Sequence, residues 1–69
     1  MECKVALTWD NEAYVWLASS ADVPGLALES GSLDALIERV KFAIPDILGL
    51  KDTDITIDFR AERLSQVHV

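Results

Sequence analysis

Asp22-Val23-Pro24-Gly25-Leu26, continuing through Ala27-Leu28-Glu29-Ser30-Gly31-Ser32-Leu33-Asp34, decides how this chain folds. Pro24 fixes its own φ near −65° and pushes Val23 out of the helical region. Gly25 tolerates φ > 0, so Pro24-Gly25 suits the centre of a type II turn. Leu26 to Glu29 is too short for a helix between such breakers, and Leu26 and Leu28 share one face of a strand. Gly31-Ser32 ends that strand. Ser32 then serves as an N-cap, with Asp34 at the positive end of the helix dipole. Loop, turn, strand, stop and helix start are thus written in thirteen residues. Taken by itself, such a stretch is a connector.

Upstream, Cys3-Lys4-Val5-Ala6-Leu7-Thr8-Trp9 alternates and predicts a first strand, with Cys3, Val5, Leu7 and Trp9 on one face. Asp10 to Ala13 supplies turn formers for a tight hairpin. Tyr14-Val15-Trp16-Leu17-Ala18-Ser19 predicts a second strand that is apolar on both faces. One helix layer covers one face only, so the other meets solvent, a second copy or a partner.

Downstream, Leu33, Leu36, Ile37, Val40, Ile44, Ile47 and Leu48 recur at three and four, which predicts an amphipathic helix from Ser32 to about Leu48. Glu38 and Lys41 are placed to pair on its outer side. Pro45 predicts a kink with one turn beyond it, and Gly49 a helix stop. After the loop Lys51–Asp54, Ile55 to Arg60 alternates as the last strand. The tail 61–69 either prolongs it, pairs with another chain or is disordered. A right-handed crossover lays the last strand parallel to the first. The fold class is α+β, in the order β-β-β-α-β: a four-stranded mixed sheet with one helix layer on one face, in a single domain spanning 1–69.

Sixty-nine residues bury only about 60% of their unfolded surface, a marginal amount for a lone domain. With 51% hydrophobic residues, the composition predicts an interface, in a homodimer or a higher homo-oligomer. Twelve acids against six bases, a net charge of −6, oppose direct nucleic-acid binding and fit a basic protein partner. The plainer reading of that charge is solubility. Cys3 is the single cysteine and His68 the single histidine, so neither a disulfide nor a zinc set is expected. No signal peptide or apolar run of membrane-spanning length is present, which predicts a cytoplasmic protein with no membrane partner.

Gly25, Gly31 and Gly49 form no phosphate loop, and no nucleophile–base pair is visible. No catalytic residue and no cofactor is assigned. A metal-dependent nuclease would need acids converging on ions; the candidates are Asp10, Glu38 and Asp58, whose plainer reading is solvated surface. Trp9 and Trp16 are either interface anchors or core residues under the helix.

The chain resembles the HicB-like antitoxin domain, in a short branch where the domain stands alone. The residues that carry the likeness are Trp9-Asp10, Glu12, Tyr14-Val15-Trp16-Leu17-Ala18, Asp22-Val23-Pro24-Gly25-Leu26, Ser32-Leu33-Asp34 and Ala43-Ile44-Pro45. The resemblance implies a partial ribonuclease-H-like fold. It also implies a type II antitoxin that neutralises HicA, a small basic mRNA-cleaving toxin, by covering its active site. Many members add a C-terminal operator-binding segment; these 69 residues hold none, so DNA binding is not expected of them. The nuclease reading weakens further, because the ribonuclease-H acid set has no full match. The residues put forward for partner contact are Tyr14, Trp16, Asp22 and Pro24. The alternatives are an oligomeric domain with no toxin, and a residual metal-dependent nuclease.

Overall fold

The computed structural model describes residues 1–68. The elements run β1 (Glu2–Asp10), β2 (Val15–Ser19), β3 (Leu28–Ser30), α1 (Leu33–Leu48) and β4 (Thr56–Glu62). They build one four-stranded sheet in the order β3-β2-β1-β4. β1 pairs antiparallel with β2, and β2 with β3, while β4 lies parallel to β1. This is the α+β, β-β-β-α-β arrangement read from the sequence, with a mixed sheet and one helix layer.

The core follows from alternation. Cys3, Val5 and Leu7 are buried while Lys4, Ala6 and Thr8 between them are exposed. Ala18, opposite Leu7, adds to the same face. The helix closes it with Leu36, Val40 and Ile44, one residue per turn and all fully buried. Val23 and Leu26 complete the cluster from the loop. The helix lies chiefly over β2 and β3. Ile57 and Phe59 of β4, on the same face, are only half-buried.

Helix boundaries match the sequence signals. Ser32 Oγ accepts from Ala35 N at 3.2 Å. Gly49, at φ 65°, ends the helix in the left-handed region, where its N–H donates to Asp46 O at 3.3 Å. The helix stays continuous through Pro45. Glu38 and Lys41 pair at 2.9 Å. Ile47, expected in the buried stripe, is 42% exposed: it sits in the last turn, where the chain turns away toward β4.

Several strand ends move: β1 gains one residue at each end, β3 ends one residue later at Ser30, and β4 begins at Thr56 rather than Ile55, where Thr56 N first bonds to Met1 O. Alternation alone opens the second strand at Tyr14. Instead the Tyr14 N–H closes the hairpin turn on Asp10 O at 2.9 Å, with φ at 55°. Asp10 Oδ1 also accepts from Glu12 N and Ala13 N, so the turn consumes residues 11–14 and β2 starts at Val15. The third strand, expected at Leu26–Glu29, starts at Leu28. Leu26 N closes the Val23–Leu26 turn at 3.1 Å, and Ala27 is needed to bring the chain alongside Ala18. The last strand extends through Ala61 and Glu62, whose partners are Leu7 and Thr8. Residues 63–68 carry no regular structure and are exposed; Val69 lies outside the described residues.

Candidate partner interface

Two aromatic rings meet at one end of the sheet because β1 and β2 bring Trp9 and Trp16 directly opposite each other. Their centroids are 5.5 Å apart at an interplanar angle of 63°, an edge-to-face contact. Tyr14 joins Trp9 in the same way at 6.3 Å and 70°. Its positive φ carries the ring out of the strand, and it is 70% exposed. Arg63 follows the last residue of β4 and lies over the Trp9 ring, 4.0 Å from its centroid, a cation–π contact. Trp9 Nε1 donates to Asn11 Oδ1 at 3.3 Å. A hollow beside this group is lined by Thr8, Trp9, Asn11, Glu62 and Leu64. Tyrosine, tryptophan and arginine are the residues that most often anchor protein interfaces. Here all three share one patch with acidic neighbours in Glu12 and Glu62.

Trp16 projects on the helix side of the sheet and packs against the core, rather than on the uncovered side. It is half-buried, so its ring is shared between core and patch. The uncovered side of β2 carries half-buried Val15 and the more open Leu17, 38% exposed.

Asp22 and Pro24 do not join the patch. Tyr14 precedes β2 and Asp22 follows it, so the length of β2, about 17 Å, separates these two. Asp22 has a structural task. Beyond Ser19, β2 leaves β1, and Lys4 loses its strand neighbour on that side. Asp22 Oδ2 then accepts from Lys4 N at 2.8 Å, and Ser20 Oγ donates to Lys4 O at 2.6 Å. Pro24 and Gly25, the latter at φ 91°, form the exposed corner between buried Val23 and Leu26.

The three acids considered for metal chemistry stay apart. Asp10 caps the hairpin, Glu38 pairs with Lys41, and Asp58 pairs with Arg60 at 3.2 Å. Among the described residues no three of His, Cys, Asp and Glu are grouped to hold a metal. Cys3 is a free thiol in the core. No helix is long and apolar enough to cross a membrane, among the described residues.

Sequence reasoning missed Arg63, Asn11 and Glu62. Arg63 and Glu62 reach Trp9 and Thr8 only through the parallel β1–β4 register, which no local pattern announces.

Residues 2–69 match the family described as a domain of unknown function (DUF1902). No curated protein matches the chain. Among solved structures, the chain is similar to the hypothetical protein TTHA1013 from the extremely thermophilic bacterium Thermus thermophilus. The two share 32% identity over 97% of this chain and 100% of that one, with a TM-score of 0.81.

Proposed function

The chain belongs to the DUF1902 family, and from its own surface we propose that it is a protein-binding module of the antitoxin kind. In this reading it is similar to HicB-like antitoxins and neutralises a small basic mRNA-cleaving protein of the HicA type by covering it. The observation that carries the reading is the unpaired acidity. Of twelve acids, only Glu38 and Asp58 are in ion pairs among the described residues, which leaves ten without a basic partner. A basic surface would gain from this field chiefly in association rate and in selectivity. Tyr14, Trp9, Trp16 and Arg63 supply the desolvated anchor that charge alone does not. A nuclease reading finds no support in the positions of Asp10, Glu38 and Asp58.

The test starts by isolating the chain from its host at low salt and eluting its companions with salt. The expected result is one small basic protein in fixed ratio, whose RNA cleavage stops when the chain is added back. Tyr14→Ala is the cleaner anchor variant, being mostly exposed, and should weaken inhibition by roughly tenfold or more. Cleavage that proceeds equally with and without the chain, or an eluate with no basic protein, overturns the reading.

A further inference from the structure

Among the described residues β4 stands at the edge of the sheet, with β1 as its single strand neighbour. Thr56 N donates to Met1 O at 2.8 Å on the β1 side. Backbone groups alternate along a strand, so the N–H and C=O groups of Ile57, Phe59 and Ala61 aim at the open side. Edge strands are normally protected by brevity, proline, like-charged side chains (lysine above all) or a bulge; the charges of β4 instead alternate in sign, which a copy of the strand can match. The opposite edge, β3, is three residues long. β4 is seven residues long and contains neither proline nor lysine. Its own Ile57 and Phe59 remain half-buried, because the helix leans toward β2 and β3. Beyond it, Leu64 is 98% and Val67 80% exposed.

We propose that a second copy of this chain covers the edge, β4 pairing antiparallel with the partner's β4 about a two-fold axis at Phe59. Charge favours a second copy as the occupant, and charge, a clash at Arg63 and strand length together select the register. The uncovered face of β4 reads Asp58, Arg60, Glu62, alternating in sign. With the axis at Phe59, Asp58 faces the partner's Arg60 and Arg60 faces the partner's Asp58. Moving the axis to Arg60 would set Arg60 against the partner's Arg60 and Asp58 against the partner's Glu62. Moving it to Ala61 would still set Arg60 against the partner's Glu62, but it would drive Phe59 against the partner's Arg63, which already lies over Trp9, and would leave Thr56 to Asp58 without strand partners. Phe59 is also the midpoint of Thr56–Glu62, so only this register pairs the whole strand with itself.

The hydrogen-bond geometry agrees. Phe59 meets the partner's Phe59, and Ile57 meets the partner's Ala61, through the groups that already face outward. Directly opposite residues share a face, so both helices fall on the same side of an eight-stranded sheet. Ile57 and Phe59 lose water in the process. Each tail then runs past the start of the partner's β4, the end of the molecule where Met1 and Ile47 are exposed.

Sedimentation equilibrium of the full chain, with amide exchange, tests this. The unaltered chain should weigh twice 7.6 kDa at micromolar concentration, with the Ile57, Phe59 and Ala61 amides protected increasingly as concentration rises. Arg60→Asp and Asp58→Arg each oppose like charges and should weaken the dimer by roughly tenfold or more. The double variant restores both pairs and should restore the dimer. A monomer at every concentration overturns the proposal. So does a dimer unmoved by the single variants, or single-variant losses that the double variant fails to recover. If either single variant loses its far-UV circular dichroism, amide exchange on the unaltered chain decides. A strand from another protein on this edge would protect those amides only when that protein is present, leaving the isolated chain monomeric.

Discussion

Asp22 shows how one side chain can replace a strand. Its Oδ2 takes the Lys4 N–H at 2.8 Å while Ser20 takes the Lys4 carbonyl, so the β1 ladder is finished by two side chains instead of by β2. Because Asp22 is exposed, water competes for the bond and its net worth is modest. Asp22→Ala should lower stability by about 1 kcal/mol, seen as a lower urea midpoint at constant slope. Asp22→Asn, which keeps an acceptor, should lose less. An unchanged midpoint in Asp22→Ala would show that water serves Lys4 equally well. Gly25 is a backbone case: a Cβ there meets nothing within 4 Å, but φ is 91°. Gly25→Ala should therefore cost about 1 kcal/mol through conformation alone, and a loss much larger than this would point to a contact not accounted for.

The helix separates two kinds of hydrophobe. Leu36 is fully buried and Phe42, almost opposite Val40 on the helical wheel, is 78% exposed. Leu36→Ala should cost about 2–5 kcal/mol, whereas Phe42→Ala should stay within about 0.5 kcal/mol, both read from denaturant titrations. Pro45 has no N–H for the Lys41 carbonyl, yet the helix continues past it to Leu48. Pro45→Ala should raise stability by about 1–3 kcal/mol; a loss would mean that the proline ring packs where alanine cannot. The helix was legible in the sequence because its signals are local: apolar spacing at three and four, Ser32 to start, Gly49 to stop. The strand ends were not. Tyr14 alternates correctly with Trp16 and Ala18, but Asp10 claims it for the hairpin turn. Leu26 alternates with Leu28, but the turn that Pro24-Gly25 announces closes on it. In both places the hydrogen bonds of a turn override a correct period. The aromatic patch was half legible. Trp9, Tyr14 and Trp16 are visible as residues, whereas Arg63 arrives from the far end of the chain through a parallel register that only the folded sheet supplies.

Across the whole molecule, shape and stability point the same way. The chain measures 52 × 19 × 18 Å with a radius of gyration of 13.4 Å, against about 11 Å for a compact domain of this length. The excess agrees with a tail that leaves the body, where Leu64 and Val67 find nothing to pack on. Among the described residues nine form the buried core, a small number to hold 69 in place, and ten acids outside any ion pair add self-repulsion. A fold so balanced gains from a second copy on the β4 edge, because association then counts as folding free energy. Melting should therefore depend on protein concentration. Each tenfold rise adds about 1.4 kcal/mol per dimer, half of it per chain, which for a domain of this size raises Tm by a few degrees. Added salt should raise Tm as well, by screening the excess of acids, although it also weakens the two solvent-facing Asp58–Arg60 pairs across the interface. The concentration series at fixed salt is thus the deciding measurement. Midpoints that climb with concentration place the dimer within the folding equilibrium, while midpoints that coincide from micromolar to millimolar chain show that the nine-residue core holds the domain by itself.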